Sequence, residues 1–256
     1  GVPTICDYWS MDVARGIGFG RAKIVTATNV LGHVDRAHAF VAAVERVLND
    51  EGVFVVEVPY LMDLLEHTEY DTIYHEHLSY WSVSPLTELL AAHGLVVFDV
   101  QYFESIHGGT IRVWSSKSRQ PLPGVSGWLK KEAALKTPDP YLSFRGRSAD
   151  HMERLRHQIE WATSNGAMIW AYGAAAKGNT LMNCLGLPPG TIPVVIDDNP
   201  RKWGLYTPGA HMRIAPPDEL KSSFPGPILL LAWNFKGEIM RRCREDIGYS
   251  GTFIFP

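Results

Sequence analysis

The sequence lacks several features that would point to particular classes of protein. Its three cysteines, Cys6, Cys184 and Cys243, lie far apart and show no C-x-x-C pairing, so the chain carries no zinc-finger pattern. The formal net charge is −3 and there is no long basic run, which argues against nucleic-acid binding. No apolar run is long enough to cross a membrane. We therefore expect a cytoplasmic protein with reduced cysteines and no bound metal.

What the sequence does contain is an alternation of strand-like and helix-like segments. Over 256 residues, 46% are apolar and 20% are charged, which is ordinary for a globular protein with a sizeable core. Short β-rich runs at residues 2–6, 23–29 and 52–58 are separated by helical patterns, the clearest at 36–49. A further helix is predicted over 84–93, between Ser-Pro and His-Gly signals. This alternation predicts an α/β fold with a doubly wound, mostly parallel sheet.

The second half of the chain repeats this alternation after a change in composition. Between residues 116 and 150, prolines and glycines punctuate charged helical pieces, which predicts a connection between domains that continues in a helix over 148–164. Strands are then predicted over 168–172, 194–196 and 228–232. The chain opens without Met and inside a strand-like run, so we expect it to start within a domain.

Two glycine-rich segments could receive a ligand, and their surroundings differ. Residues 16–20 read GIGFG but precede the predicted strand at 23–29, whereas a nucleotide-binding glycine loop follows a strand and opens a helix. That order favours an ordinary loop. Residues 173–179 read GAAAKGN and have the order strand, turn, helix, with Lys177 as a positive charge for a phosphate. We favour ligand binding there over a plain tight turn, but the pattern does not separate a nicotinamide site from a nucleotide-sugar site.

The densest group of proton-transferring side chains lies in residues 72–80, which read TIYHEHLSY. In a regular strand, Tyr74 and Glu76 would face away from His77, so convergence on one substrate requires a turning backbone. His77 is the candidate base because its ordinary pKa lies near neutrality. Glu76 could bind a hydroxyl or ammonium group, and Tyr74 could donate to a developing oxyanion. The alternative is a satisfied polar cluster that holds a loop, and His75 is the better candidate for such a structural role.

Other polar residues at predicted strand ends give weaker candidates. Asn29 and His33 follow the second strand-like run, at the edge where cofactors bind in such sheets. Asp7 and Tyr8 follow the first run and could meet an adenine, or they could form a simple turn. His107, before two glycines, could contact the substrate or belong to a turn.

Seven segments together resemble a known family. They occur in this order: NVLGHV (29–34), EVPYL (57–61), DTIYHEHLSY (71–80), HGG (107–109), YGAAAKGNT (172–180), GLYTPG (204–209) and LAWNF (231–235). The chain thereby resembles the S-adenosylmethionine-dependent sugar C-methyltransferases, which install the C-3 methyl branch of deoxysugars in antibiotic pathways. The resemblance extends over essentially the whole chain.

The resemblance implies a class I methyltransferase-type doubly wound sheet that is incomplete at its N-terminus, followed by a second Rossmann-like domain. We accordingly divide the chain into a partial methyltransferase domain (1–120), a helical linker (121–164) and a nucleotide-sugar-binding domain (165–256). The family's zinc cysteines, first strand, glycine loop and ribose-binding acid have no counterpart here. Zinc is therefore expected only in an N-terminal domain that this chain lacks, and S-adenosyl-L-methionine is the expected cofactor.

The resemblance also implies roles for the candidate residues. The substrate would be a dTDP-linked 4-keto-6-deoxysugar; His77 would remove its C-3 proton, and Tyr74 and Glu76 would position the sugar or stabilise the enolate. The further contacts would come from two sets of residues: Asp7, Tyr8, Asn29 and His33 for the cofactor, and Tyr60, His107, Lys177 and Asn179 for the substrate. We expect a monomer whose partner is this small molecule, with no nucleic-acid or membrane partner.

Two other interpretations stay open at this point. The turn at 173–179 could serve a nicotinamide-dependent nucleotide-sugar oxidoreductase, although it lacks the three-glycine fingerprint. Alternatively, the chain could be an inactive nucleotide-sugar-binding fragment. Binding of a thymidine nucleotide without S-adenosylmethionine would indicate the fragment.

Overall fold

The structure, a computed structural model, describes residues 1–104, 106, 108–220, 224 and 226–256. Contacts divide the chain into two compact units. The first unit comprises residues 1–68 and 75–142, and the second comprises residues 69–74 and 143–256. The predicted division of the chain into a methyltransferase domain, a linker and a nucleotide-sugar-binding domain, with boundaries at residues 120 and 164, stays a prediction.

The first unit is built on a four-stranded mixed sheet with the order β1-β2-β4-β3. Its strands are β1 (Ala22–Thr28), β2 (Leu48–Pro59), β3 (Val96–Phe103) and β4 (Thr110–Ser116). β1 and β2 are parallel, whereas β4 runs antiparallel to both β2 and β3. The expectation of a mostly parallel sheet is therefore wrong for this unit, because β4 folds back between β2 and β3. Alternating strands and helices in sequence do not reveal such an insertion.

The core of the first unit lies between this sheet and its helices. The helices are α1 (Met11–Ile17), α2 (Ala37–Val47), α3 (Leu61–Glu66), α4 (Val83–Ala91) and α5 (Pro123–Lys131). The apolar residues that predicted α2, among them Phe40, Val41 and Val44, pack into the core beside the buried middle of β2. α2 ends at Val47 because β2 begins at the next residue, so Asp50 and Glu51 belong to a strand.

The predicted strand over residues 2–6 is wrong. Residues 1–9 form no strand, and the first strand of the chain is β1. A short β-rich run becomes a strand only when a neighbour completes its backbone hydrogen bonds, and β1 is paired on one side only, with β2. Asp7 and Tyr8 therefore do not lie at a strand end.

The second unit contains a five-stranded, all-parallel sheet with the order β7-β6-β5-β8-β9. Its strands are β5 (Trp170–Tyr172), β6 (Val194–Ile196), β7 (Arg213–Ala215), β8 (Ile228–Leu230) and β9 (Phe253–Ile254). The chain moves outward from β5 in one direction, then returns to build the other half from β8. In such sheets, the carboxyl ends of the two strands at the reversal, here β5 and β8, border the usual ligand crevice.

Helices cover this sheet and extend further than the sequence indicated. They are α6 (Asp139–Ser164), α7 (Ala176–Leu185) and α8 (Lys236–Arg242). α6 begins nine residues before the predicted start at 148. No helix in the described part of the chain is long and apolar enough to span a bilayer.

Candidate active site

The histidine-rich segment after residue 74 is fastened to the loop that follows β1. The backbone N–H groups of Leu78 and Ser79 both donate to the carbonyl of Gly32, at 2.8 and 3.2 Å. The Ser79 hydroxyl also donates to the carbonyl of Leu31, at 3.4 Å. This turning backbone is of the kind that the sequence required for Glu76 and His77 to act together. Two backbone N–H groups and one side-chain hydroxyl thus hold the segment to the loop after β1.

His33 ties this loop to the candidate catalytic residues. Its Nδ1 lies 2.8 Å from the carbonyl oxygen of Glu76, and because a carbonyl can only accept, Nδ1 carries the proton. The His33 and His77 rings lie 5.0 Å apart, and the His77 and Tyr80 rings 6.2 Å apart. The structure thus brings together His33, Glu76 and His77, which the sequence assigned to cofactor and catalytic roles.

The side chains of this group differ in their exposure. Those of His75 and Glu76 are 85% and 58% exposed, with Nε2 and Oε1 3.9 Å apart. His77 is half-buried against His33 and Tyr80. His77 is therefore the histidine of the pair whose orientation is fixed by ring contacts, as a positioned base requires.

The third candidate catalytic residue, Tyr74, lies in the other unit. The chain passes from the second unit to the first between Tyr74 and His75. Glu76 and His77 are thus described with the first unit, and Tyr74 with the second. Nothing in the local sequence marks this boundary.

Residues 69–74 are held in the second unit by a buried carboxylate. Asp71 is 4% exposed, and its Oδ2 accepts a hydrogen bond from the indole Nε1 of Trp233 at 2.6 Å. Burial raises the pKa of Asp71, while the Trp233 hydrogen bond and the nearby Lys177 charge act in the opposite direction. The neighbouring Tyr70 hydroxyl lies 3.0 Å from Nδ1 of His151 on α6. No role for Asp71 or Trp233 follows from the sequence patterns, although both residues lie in segments that carry the family resemblance.

Lys177, predicted to bind the substrate, faces the same buried group. Its Nζ lies 4.1 Å from the centre of the Trp233 ring and contacts Oδ1 of Asn234. Burial lowers the pKa of Lys177, and the charges of Asp71 and Glu69 oppose that shift. The ammonium therefore already balances acidic groups within its own unit. Its substrate role stays a prediction.

The turn after β5 is closed by its own hydrogen bonds. The backbone N–H of Ala174 donates to Oδ2 of Asp197 at 2.9 Å, and Lys202 donates to the same oxygen and to the Ala174 carbonyl. Gly173 has φ +101°, and a Cβ there would lie 2.7 Å from the Cβ of Ala232. Close packing thus accounts for this glycine. The half-buried Asn179, the other predicted residue of this turn, lies in the first turns of α7.

Tyr60, also predicted to bind the substrate, directly follows β2 and is 1% exposed. Burial raises its pKa, with further contributions from Glu132 and Asp63. The Lys131 ammonium lies over its ring, 5.4 Å from the centre. His107 is outside the described residues, so its predicted role stays a prediction.

The residues predicted to contact the cofactor differ in how well they fit such a group. Asn29 directly follows β1 with φ +53°, and with His33 it lies where parallel strands end, so these two residues fit a cofactor contact. Tyr8 is 91% exposed, and the Asp7 carboxylate accepts from the backbone N–H of Tyr8 at 2.7 Å. The predicted contact of this pair with an adenine stays a prediction. The GIGFG segment leads into β1, as the sequence predicted, and offers no phosphate loop.

A search of the described residues finds no group of three or more His, Cys, Asp or Glu side chains that could hold a metal ion.

Family models match both halves of the chain. Residues 5–100 match a methyltransferase domain, and residues 105–256 match the C-methyltransferase C-terminal domain. The chain belongs to the C-methyltransferase family. With this match and its mixed sheet, the first unit has a class I methyltransferase-like α/β fold.

One curated relative is the C-methyltransferase NovU of Streptomyces niveus. The two are 32% identical over 263 residues, which covers 100% of this chain and 62% of NovU. The chain therefore spans less than two thirds of the length of this relative.

Solved structures give a weaker likeness. A complex of the Trm112 methyltransferase activator of Haloferax volcanii with a methyltransferase has a TM-score of 0.35 at 14% identity, over 41% of this chain and 57% of that chain. A methyltransferase of Bacillus halodurans C-125 has a TM-score of 0.33 at 15% identity, over 41% of this chain and 66% of that chain. Superpositions of this quality carry no argument about this chain.

Proposed function

We propose that the chain is part of an S-adenosylmethionine-dependent methyltransferase that methylates C-3 of a dTDP-linked 4-keto-6-deoxysugar. The observation that carries the proposal is the group formed by His33, Glu76 and His77 after the carboxyl end of β1. In a C-methyltransferase, carbon must be made nucleophilic before it can accept a methyl group. A positioned base is the feature that this chemistry needs most.

His77 acts as that base. The C-3 hydrogen is acidic because the carbanion left behind is delocalised onto the C-4 ketone as an enolate. His77 takes the proton, the C–H electron pair enters the enolate, and hydrogen-bond donors stabilise its oxygen. We assign that stabilisation to the Tyr74 hydroxyl, which can donate, and the positioning of the sugar to Tyr74 and Glu76. S-adenosylmethionine, when bound, supplies the methyl group, and the residues that would contact it are Asp7, Tyr8, Asn29 and His33.

The second unit serves the nucleotide part of the substrate in this proposal. Its all-parallel sheet, with the reversal at β5 and β8, supports a Rossmann-like nucleotide-sugar domain. Lys177 and Asn179 would hold the diphosphate or sugar, with Tyr60 and His107 as further substrate contacts. For this, Lys177 has to exchange its contact with Asn234 for one with the phosphate. We place the protein in deoxysugar formation for antibiotic biosynthesis, as a cytoplasmic monomer.

The test is hydrogen exchange at C-3 of the keto-sugar in D2O, followed by NMR on the full-length protein. We expect His77→Ala to slow enzyme-dependent exchange by about 10²- to 10⁴-fold, the usual contribution of a general base, and to abolish methylation. Affinity for S-adenosylhomocysteine, measured by calorimetry, should stay nearly unchanged.

His75→Ala is the matched control, because this adjacent histidine is largely exposed. It should keep exchange within a few-fold of the unchanged protein. Normal exchange in His77→Ala would overturn the assignment of the base, and an equal loss in both variants would argue for a merely structural segment.

A second candidate is a nucleotide-sugar-binding chain without methyl transfer. The exposed Asp7–Tyr8 segment favours it, because both of these residues, two of the four expected to contact the cofactor, are exposed in this structure. Calorimetric titration of the 256-residue chain separates the two candidates. Binding of a thymidine nucleotide but not of S-adenosylhomocysteine would favour the second.

A further inference from the structure

Three aromatic rings of the first unit surround the ammonium group of Lys131. Nζ lies 5.3, 5.4 and 5.9 Å from the ring centres of Trp128, Tyr60 and Tyr102. The rings also touch one another: Tyr60 meets Trp128 edge to face at 5.8 Å and Tyr102 at 6.2 Å. Such a cage presents the electron-rich faces of several rings to a single cation, the arrangement that recognises organic ammonium groups.

The surroundings of the aromatic cage are acidic. Glu132 and Asp63 are 1% and 6% exposed. Burial is the largest cause of the raised pKa of Tyr60, and both carboxylates raise it further. Both oxygens of Glu132 are used, since they accept from the backbone N–H groups of Val83 and Ser84 at 2.7 Å. Asp63 is therefore the acid whose carboxylate is left to face a cation.

Asp63 is only partly satisfied. The Tyr102 hydroxyl donates to its carboxylate. Burial, and secondly this hydrogen bond, raise the pKa of Tyr102 to about 12. Its Oδ2 is buried and finds no hydrogen-bond partner among the described residues. The Cα of Gly109 lies against that oxygen, and a Cβ there would approach within 1.8 Å. A buried carboxylate oxygen without a partner is costly, so it marks a place where a donor is missing.

Lys131 does not supply that donor. Within the described part of the chain, its ammonium makes no hydrogen bond and no ion pair: it lies over the three rings, and its charge acts on Asp63 through space. It is the last residue of α5, and it is exposed. A long side chain at the end of a helix can leave the rings by rotation alone.

We propose that the cage of Tyr60, Tyr102 and Trp128, with Asp63 at its wall, is a binding site for an organic ammonium group, and that Lys131 fills it as an internal substitute. A ligand ammonium competes with Lys131 for the ring faces and can also donate to Asp63. The inference does not depend on methyl transfer, because the cage is defined by its own contacts and shares with the proposed reaction only Tyr60, a substrate contact there.

The test uses choline as the probe and 3,3-dimethylbutan-1-ol, its uncharged isostere, as the paired control, with calorimetric titration of the 256-residue chain. Lys131→Ala should bind choline about tenfold more tightly than the unchanged chain, because the internal competitor is gone. The isostere should bind at least about tenfold more weakly than choline to the same variant.

Two further substitutions assign the site. Lys130→Ala, at an exposed neighbour outside the cage, should leave choline affinity as it is in the unchanged chain. In the Lys131→Ala background, Trp128→Leu and Asp63→Asn should each weaken choline binding several-fold. Tyr102→Leu, at a residue that is 38% exposed, replaces Trp128→Leu if that variant does not fold.

Three results would overturn the proposal. They are the same choline affinity with and without Lys131, equal binding of choline and its isostere, and an equal gain in Lys130→Ala. Any of them would reduce the cage to an arrangement that packs a surface lysine.

Discussion

The polar cluster around Asp197 in the second unit is buried and internally bonded, whereas residues 75–77 of the first unit are exposed or half-buried. In the second unit, the carboxylates that follow the strands accept hydrogen bonds from groups of the same unit. Asp197, 8% exposed, accepts from Ala174, Asn199 and Lys202, and Asp198 accepts from Tyr172 and Arg242. Asp71 accepts from Trp233 in the same manner.

In the first unit, hydrogen bonds fasten residues 75–80 to the loop after β1, and the side chains of His75 and Glu76 are largely exposed. Gly32 and His33 hold the segment through carbonyl contacts, and Glu76 keeps more than half of its side chain exposed. The comparison teaches that density of polar residues at a strand end does not by itself mark a reactive site. The Glu76 carboxylate differs from those of the buried Asp71 and Asp197 in that solvent reaches it.

Asp197→Ala should give the largest loss of stability. It removes an acceptor from two backbone N–H groups and leaves the Lys202 ammonium beside a closed turn, which should lower the free energy of unfolding by about 2–3 kcal/mol. Urea denaturation measures the change. Asp246→Ala, at an exposed residue of the same unit, should stay within about 0.5 kcal/mol. An unchanged free energy of unfolding in Asp197→Ala would contradict this interpretation. The carboxylate would then not be needed for the fold and would be available for a ligand.

Glu132→Ala tests whether a buried carboxylate also stabilises the first unit. Glu132 caps α4 from a distance, since both of its oxygens accept from N–H groups in the first turn of that helix. Its loss should lower the free energy of unfolding by about 1–2 kcal/mol, which urea denaturation again measures. Glu88→Ala on the exposed face of the same helix is the control and should have little effect. Equal changes in the two variants would mean that the buried cap contributes nothing.

Asp71→Asn should produce the smallest effect, visible as a change in pH dependence. Burial raises the pKa of Asp71 in the folded chain, so the folded state binds this proton more tightly than the unfolded state. That contribution to stability is fully present below the unfolded pKa of about 3.9 and is lost as pH rises through the raised folded value.

Urea denaturation across a pH series tests this sign. Relative to Asp71→Asn, the unchanged chain should become progressively less stable as the pH rises from about 4. The exposed Asp246→Asn should show no such trend. A constant difference between the unchanged chain and Asp71→Asn would contradict a raised pKa.

Much of the fold follows from local patterns. The periodic apolar residues of α2 and α4 and the apolar run of β2 place these elements to within a few residues, because burial of one face determines each of them. The strand predicted at 2–6 fails for the converse reason, since a strand also needs a partner that its own sequence does not specify. The antiparallel insertion of β4 depends in the same way on distant pairing.

The candidate site shows the same limit. The sequence identifies Glu76 and His77 by residue type, and the structure brings them to His33, which lies 43 residues from Glu76 in the chain. The sequence does not reveal that Asp71 bonds to Trp233, a residue 162 positions further along the chain, or that Tyr74 belongs to the same unit as these two residues. The small-residue turn at 173–179 also does not reveal that Lys177 lies near the carboxylate of Asp71. Such contacts depend on long-range packing, which no local spacing encodes.

The most direct test of the proposed base in the first unit, set against the Asp71–Trp233 contact of the second, is C-3 hydrogen exchange in His77→Ala and Trp233→Phe, measured side by side in the full-length protein. Trp233→Phe removes the hydrogen bond to Asp71 but keeps an aromatic ring beside Lys177. We predict that exchange falls by at least about 10²-fold in His77→Ala and by less than about tenfold in Trp233→Phe. Normal exchange in His77→Ala, or an equal fall in both variants, would contradict the account.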